Sequence, residues 1–179
     1  MPNILHREFW AGRPNEKWLT DVSEFKWYEG PIVHKVYLSA ILDLCDRRIV
    51  SYILSDRNDN KLVFDTFDKA VRENPDAHPL FHSDRGFQYT SRIFHKKLLD
   101  AGMTQSMSRV GHCIDNGPME GFWGILKREC YYGHTFANRE TLISTIERYI
   151  DYYNNRRYQH RLFIQTPMQA HVSAMNRAA

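Results

Sequence analysis

The period of the apolar residues changes once along this chain, from two residues before Asp59 to a helical period after it. Apolar and polar residues alternate over residues 18–25, which predicts a strand with Asp21 on the same face as Leu19. Residues 34–54 hold two apolar, β-rich runs on either side of a charged turn, which predicts a hairpin. Any fold assigned to the chain must therefore begin with three consecutive antiparallel strands.

After the hairpin, segments with helical periodicity alternate with short apolar strands. Helices are predicted over residues 60–74, 91–102, 118–130 and 139–155, with short strands at 79–83 and 103–107. This order predicts an α/β domain with a mixed five-stranded sheet flanked by helices, and it is compatible with the ribonuclease-H-like fold. We expect residues 1–15 to form an irregular arm and residues 16–155 to form the core. Residues 156–179 are expected to form a tail that packs on the core or extends from it, with a last short helix near Thr166.

Composition argues against several classes of protein. Cys45, Cys113 and Cys130 are far apart and form no C-x-x-C pair, which argues against a disulfide framework and a structural zinc site. No apolar run is long enough for a secretory signal or a membrane span, so we expect a cytoplasmic protein without a membrane partner. Residues 107–179 carry nine basic and six acidic side chains, which is the whole net charge of +3, and this bias suits a surface that meets polyanions.

Two acidic residues occupy positions that suggest a metal site. Metal-assisted phosphoryl chemistry needs carboxylates that converge from separate elements, because Mg²⁺ prefers hard oxygen ligands. Asp21 lies inside a strand, where aspartate is depleted, although a solvent-facing strand position is the alternative. Asp84 directly follows a predicted strand, where α/β proteins often bind ligands, but an aspartate two residues before Gly86 is also ordinary turn chemistry.

Glu120 lies near the start of the third predicted helix. With Pro118 at the first helical position, a glutamate there could cap the helix or gain from its dipole, whether or not it binds metal. Gly124, Lys127 and Arg128 follow Glu120 by four, seven and eight residues, so all four share one helical face. A face with a carboxylate, a small residue and two cations can approach a phosphate backbone closely.

Two other acids compete for the same role. Asp43 lies in an apolar run and is interpreted as a buried, hydrogen-bonded acid near the same site. Asp115 precedes the helix of Glu120 and is interpreted as loop or capping chemistry. Both rank below Asp21, Asp84 and Glu120 as metal ligands.

Ordered motifs along almost the whole chain match one known family. They are PNEKWLTDV at 14–22, YL at 37–38, ILDL at 41–44, RRIV at 47–50, HSDRG at 82–86, QYTS at 88–91, SMSR at 106–109, DN at 115–116, FW at 122–123, LKRE at 126–129, YNNRR at 153–157 and TP at 166–167. With these motifs the chain resembles the integrase-core transposases of bacterial insertion sequences, in the group whose enzyme is usually made by frameshifting between two reading frames. That group belongs with the retroviral integrases in the Asp-Asp-Glu superfamily. Ser23 stands where the family usually has threonine.

The resemblance implies a site and a reaction. Asp21, Asp84 and Glu120 correspond to the acidic triad, and the thirty-five residues between Asp84 and Glu120 are the spacing of the superfamily. The triad would hold two divalent ions, Mg²⁺ or Mn²⁺, about 3.5–4 Å apart. One ion would activate the water that cuts a DNA strand, and the freed 3′-hydroxyl would then attack another phosphate in strand transfer. No small-molecule cofactor beyond the metal is implied.

The resemblance also implies DNA as the partner, both as transposon ends and as target. Six side chains are predicted to meet DNA: Lys127, Arg128, Arg109, His112, Arg156 and Arg157. Among them, Lys127 matches the basic position that meets the terminal DNA in the family. Because synapsis brings two ends together, the full enzyme is expected to act at least as a homodimer.

Two alternative functions stay open at this point. One is a nuclease of the ribonuclease-H fold that only hydrolyses, and the other is an inactive DNA-binding remnant of a transposase. Members of the family usually carry an N-terminal helix-turn-helix portion that reads the element ends, and this chain begins after the place of that portion. We therefore expect an excised or truncated core with weak or absent sequence-specific binding to the ends.

Overall fold

The computed structural model describes residues 1–111 and 113–178, and it contains one five-stranded sheet. The strands are β1 (Lys17–Glu29), β2 (Ile32–Asp43), β3 (Ile49–Ser55), β4 (Leu80–Ser83) and β5 (Thr104–Met107). The helices are α1 (Asn60–Glu73), α2 (Arg92–Asp100), α3 (Gly117–Leu126), α4 (Arg139–Asn155) and α5 (Pro167–Ala178). Two short 3₁₀ turns, Cys113–Asn116 and His160–Leu162, and a π turn, Lys127–Tyr131, join them.

The sheet has the order β3-β2-β1-β4-β5. The first three strands pair antiparallel, whereas β4 lies parallel to β1 and β5 lies parallel to β4. The prediction of a mixed five-stranded sheet whose first three strands are antiparallel is therefore confirmed. Leu19 of β1 pairs with His82 of β4, so continuing that register by two residues brings Asp21 to the level of Asp84.

Helices cover both faces of the sheet. Along β2, Leu42 packs in the cluster that includes Phe122 of α3, whereas its neighbour Ile41 packs in the cluster that includes Phe67 of α1. This alternation divides the core into two halves, because successive strand residues point to opposite faces. The result is a three-layer α/β/α domain with α1 and α2 on one side and α3 and α4 on the other.

Side-chain caps fix where the helices begin. The predicted cap at Ser91 is confirmed, because its hydroxyl accepts a hydrogen bond from the Phe94 amide at the start of α2. The predicted last helix is also confirmed, and Thr166 and Gln169 form a reciprocal capping box at its start. With twelve residues, that helix is longer than expected. Among the described residues, no helix is long and apolar enough to cross a membrane.

Helix α3 differs from its prediction at both ends. It starts at Gly117, so Pro118 is its second residue and not its first, and Asn116 before it makes no side-chain cap. Glu120 is therefore not part of a capping box. The regular helix ends at Leu126 and continues as the π turn Lys127–Tyr131. Because a π turn changes the angular spacing of side chains, the predicted shared face of Glu120 and Arg128 does not follow from regular helical geometry.

The first fifteen residues are irregular, as expected, but they are not separate from the core. Leu5 is only 1% exposed and packs in the cluster under α3 and α4. The amides of Ile4 and Leu5 donate to the Ser106 hydroxyl of β5, and the Met107 amide donates to the Pro2 carbonyl. The arm thereby covers the edge strand of the sheet, which would otherwise expose unpaired backbone groups.

Candidate active site

Asp21 lies near the middle of β1, on the face that packs against α3. Its Oδ2 accepts a hydrogen bond of 3.0 Å from the indole Nε1 of Trp123. Burial raises the pKa of the Asp21 carboxyl from 3.8 to about 6, and the nearby charges of Asp84 and then Glu120 add to the rise. The strand aspartate is thus half-buried at the cleft, and the charges of both other predicted ligands act on its pKa.

Asp84 directly follows β4, at the carboxyl end of the strand. Its Oδ1 accepts a hydrogen bond of 2.8 Å from the amide of Gly86, which makes a tight turn. A Cβ at Gly86 would approach that same Oδ1 to 3.1 Å, so a larger residue would crowd the carboxylate. The turn interpretation of Asp84 is therefore confirmed, and the turn holds its carboxylate at the cleft.

Glu120 is exposed on the first turns of α3, where the helix dipole favours a negative charge. It lines an open cleft of about 490 Å³ together with the two aspartates. The cleft is lined by Asp21, Asp84, Arg85, Gly86, Ser108, Arg109, Val110, Gly111, Asn116 and Glu120. Carboxylates from a strand, a strand end and a helix therefore converge on one space.

The chemistry of these donors fits a divalent cation. None of the three carboxylates forms an ion pair within 4.0 Å among residues 1–111 and 113–178. Burial, and then the charge of Asp84, keep the pKa of the Asp21 carboxyl raised. Within the same residues, no three acidic, histidine or cysteine side chains are already close enough to hold one ion. Because Glu120 is an exposed side chain on a helix, a change of rotamer is the movement that would complete a ligand set of hard oxygens.

Asp115 has a different role from the one predicted. Its side chain is fully buried and forms ion pairs with Arg7 (2.6 Å) and Arg109 (2.9 Å). It also accepts hydrogen bonds from Asn3 and from the Arg109 amide. These donors hold the pKa of the Asp115 carboxyl far below its usual range. The residue is thus a buried charged centre that joins the arm to the loop before α3.

Asp43 is buried and hydrogen-bonded, as predicted, but it does not line the cleft. It accepts hydrogen bonds from the Asn15 amide, the Trp18 indole and the Cys45 amide. Burial, and then the charge of Asp46, raise the pKa of this carboxyl to about 6. Asp43 therefore stabilises the end of β2, and its interpretation as an acid near the same site is wrong.

The cations predicted to meet DNA have different surroundings. Lys127 is half-buried with its Nζ 5.0 Å above the Phe25 ring, and burial lowers the pKa of its ammonium group while the charges of Glu24 and then Asp21 oppose that change. Arg109 lines the cleft while pairing with Asp115, and Arg128 is exposed. His112 lies outside the described residues.

The two arginines after α4 are already engaged in ion pairs. Arg156 pairs with Asp151, and Arg157 makes a bidentate pair with Glu129 at 2.6 and 2.9 Å. A cation held by a carboxylate has less to gain from a phosphate than a free one, because it must first give up its partner.

Several residues at the site had no predicted role. Trp123, which holds Asp21, was noted only as part of a motif. Asn116 donates to the Thr20 carbonyl next to Asp21 and thereby joins the start of α3 to β1. His82 is buried between the hydroxyls of Ser106 and Ser108, and burial lowers its pKa to about 4. Its ring is therefore neutral at pH 7 and links β4 to β5.

Comparison with known proteins agrees with this architecture. The family described as integrase core domain matches residues 11–113, and a second family of the same description matches residues 120–172. Among solved structures, a chain of the simian T-cell lymphotropic virus intasome in complex with a PP2A regulatory subunit is similar, with a TM-score of 0.76 and 18% identity. The match covers 90% of this chain and 56% of that chain. The HTLV-2 integrase catalytic core domain in complex with magnesium is similar with a TM-score of 0.66 and 17% identity. The match covers 89% of this chain and 97% of that domain. These neighbours share the ribonuclease-H-like fold.

Curated relatives from bacteria are more similar in sequence. The putative transposase InsK for insertion sequence element IS150 of Escherichia coli K12 is 44% identical over 94% of this chain. This chain spans only 58% of the length of that relative. An uncharacterized transposase-like protein of Haemophilus influenzae is 42% identical, with 97% of this chain and 79% of the relative covered. The chain therefore belongs to the integrase core domain family, among the transposases of bacterial insertion sequences.

Proposed function

We propose that this chain is a catalytic core that cuts and joins DNA strands with the help of divalent metal ions. The observation that carries the proposal is the convergence of Asp21, Asp84 and Glu120 on one cleft from three separate elements. Burial, and then the charge of Asp84, raise the pKa of the Asp21 carboxyl, so this carboxylate gains from a bound cation. The activity, substrates and partners of the whole transposase are part of this proposal, because the chain spans only part of its relatives.

The three carboxylates would hold Mg²⁺ or Mn²⁺, and two ions are proposed. When bound, such ions supply Lewis-acid activation of a water or hydroxyl nucleophile and neutralise charge on the phosphate. The HTLV-2 integrase core, which shares the fold, was solved in complex with magnesium. That likeness supports dependence on a divalent metal, and its dimeric form supports a homodimer in which two cores bring two DNA ends together.

Neighbouring residues prepare the carboxylates for this role. The Trp123 indole fixes the orientation of Asp21, and the Gly86 amide fixes that of Asp84. Arg85 lines the same cleft without an ion-pair partner among the described residues and would draw in the DNA backbone, which makes binding salt-dependent, whereas Arg109 would first have to loosen its pairing with Asp115. Lys127, above the Phe25 ring, would contact a phosphate of the terminal DNA.

Assays on pre-cut DNA ends test the proposal directly. The chain is incubated with labelled ends and target DNA in Mg²⁺ or in Mn²⁺, and joined and cut products are counted separately. Joined product supports a transposase core. Cleavage without joining would indicate a hydrolytic nuclease, and no product in either metal would indicate a DNA-binding remnant.

A matched pair of variants ties the activity to the cleft. Glu120→Gln keeps the size of the side chain but removes its charge, so activity should fall by about a thousandfold. Glu140→Gln makes the same change on the exposed first turn of α4 and should leave activity unchanged. Full activity in Glu120→Gln would overturn the assignment of the triad.

A further inference from the structure

A second cavity lies on the side of α3 away from the carboxylates. It has a volume of about 300 Å³, at the small end of the range for ligand sites. Its walls come from the arm, the β2–β3 turn, the first turns of α3 and the segment after α4. No acidic side chain lines it among the described residues, although four polar side chains do: Arg47, Tyr153, Gln159 and Arg161.

Two of these groups are buried without a full set of hydrogen bonds. Arg47 is 6% exposed, and its Nη2 donates to the Phe9 carbonyl. Gln159 is 7% exposed. Within residues 1–111 and 113–178, Arg47 Nη1 and Gln159 Nε2 make no hydrogen bond of regular geometry, although the Gln159 side chain lies near enough to the Tyr153 hydroxyl to act on its pKa. Leaving such donors buried and unpaired is unfavourable, most of all for a charged group.

The cavity also concentrates positive charge. Arg161 is exposed at its rim, and burial together with the charge of Arg161 lowers the pKa of Arg47 to about 10. Asp43 and Asp46 act on Arg47 in the opposite direction but more weakly. An anion between the two guanidinium groups would relieve their repulsion and supply the missing acceptors.

The wall formed by α3 leaves room for such a ligand. Gly121 has no neighbour within 4 Å of the place where a Cβ would lie, so a glycine there keeps the space open. Gly117 and Pro118 at the positive end of the helix complete the wall, and the helix dipole favours an anion there.

We propose that this cavity binds a phosphate group, held by Arg47, Gln159 and Arg161. The tetrahedral oxyanion offers several acceptors to donors that come from different directions. The phosphate comes either from the solution as the free ion or from a DNA strand that passes over the start of α3. The site is independent of the proposed catalytic function, because it contains none of the three carboxylates and needs no metal.

Thermal unfolding in metal-free buffer tests whether the free phosphate ion binds this cavity. Inorganic phosphate is compared with chloride at equal ionic strength, and phosphate should stabilise the wild-type chain more than chloride does. Arg161→Gln should bind phosphate about tenfold more weakly, the loss expected for one charged hydrogen bond. Arg148→Gln, an exposed arginine on α4 away from the cavity, is the matched control and should behave as wild type.

A second variant separates binding from folding. Gln159→Leu removes a buried donor without a partner, so the chain should fold at least as stably as wild type without phosphate. It should nevertheless lose most of the stabilisation by phosphate. Crystals soaked in selenate should show anomalous density between Arg47 Nη1 and the Gln159 side chain.

DNA titrations separate the two sources of phosphate. If the site holds a DNA phosphate, Arg161→Gln lowers the slope of log affinity against log salt by about one, Gln159→Leu also weakens binding, and free phosphate competes with DNA. If the site holds the free ion alone, phosphate stabilises the chain and DNA affinity is unchanged in both variants. No stabilisation by phosphate, together with wild-type DNA affinity in both variants, would overturn the proposal.

Discussion

Asp115, in the short turn that leads into α3, and Asp21, in β1, are two carboxylate centres whose charges are balanced in opposite ways. Asp115 is fully buried and has two arginines and two further donors around it, which hold its pKa far below the usual range. Asp21 is half-buried beside two other acids, and burial, followed by the charge of Asp84, raises its pKa to about 6 although the Trp123 indole donates to it.

The contrast separates a charge that stabilises the fold from a charge that destabilises it. A depressed carboxyl pKa means that folding favours the ionised form, so Asp115 stabilises the domain at neutral pH. A raised carboxyl pKa means the reverse, so the ionised Asp21 lowers stability at neutral pH. Such a penalty is common where a carboxylate is kept for binding or catalysis.

The largest effect on stability is expected at Asp115. Asp115→Asn removes the charge that two arginines share and leaves their donors poorly matched. The free energy of unfolding should fall by about 2–3 kcal/mol in urea titrations at pH 7. Asp100→Asn, which breaks the exposed pair with Lys96, is the control and should change stability by less than about 0.5 kcal/mol. Equal effects of the two variants would contradict a special role for Asp115.

Substitution of Asp21 should change the free energy of unfolding in the opposite direction. Asp21→Asn keeps an acceptor for the Trp123 indole but removes the buried charge, so the metal-free chain should become more stable by about 2 kcal/mol at pH 7.5. The gain should shrink as the pH falls from about 6 toward 3.8, because the wild-type carboxyl is then protonated in the fold. Urea titrations across this pH range measure the gain in stability. A loss of stability in Asp21→Asn would show that the charge of the Asp21 carboxylate is already compensated in the wild-type chain.

A smaller effect links pH to metal binding in the cleft. A cation must displace the proton of Asp21, so apparent Mn²⁺ affinity should fall by up to about tenfold for each pH unit below 6. The stabilisation of the chain by Mn²⁺ in thermal unfolding reports this affinity. An Mn²⁺ affinity that stays constant from pH 7 to pH 5 would mean that Asp21 is not a ligand.

The smallest effects are expected on DNA binding, where a lysine without a carboxylate partner is compared with an arginine that has one. Lys127→Gln should weaken DNA binding and lower the salt slope by about one, because within the described residues Lys127 has no ion-pair partner. Arg157→Gln should change the slope less, since Glu129 already holds that guanidinium at 2.6 Å. A larger change in Arg157→Gln than in Lys127→Gln would reverse this order.

Local pattern was enough to predict the strands and most helices, because alternation and helical period depend on neighbouring residues. The grouping of Asp21 with Asp84 was implied by the family resemblance, and the register of β1 with β4 that places them at one level needed the structure. The role of Asp115 could not be predicted in this way. Its partner Arg7 is 108 residues away in sequence, and nothing local indicates that the arm folds back onto the turn.

Two further features depend on packing that the sequence does not encode locally. The π turn after Leu126 follows four buried residues of α3, whose spacing is that of an ordinary helix. The second cavity unites Arg47, Gln159 and Arg161 from two distant segments, so neither segment by itself indicates a site. Sequence reasoning identified the catalytic candidates because the family motif spans them, whereas their supporting residues needed the structure.

Anomalous scattering from crystals soaked in Mn²⁺ at pH 7.5 tests the central claim most directly. If the three carboxylates form a metal site, a manganese peak should lie within coordination distance of Asp21, Asp84 and Glu120, and it should be absent from Asp21→Asn crystals. A wild-type map without density at this cleft under saturating Mn²⁺, or with the ion bound by other residues, would contradict the account.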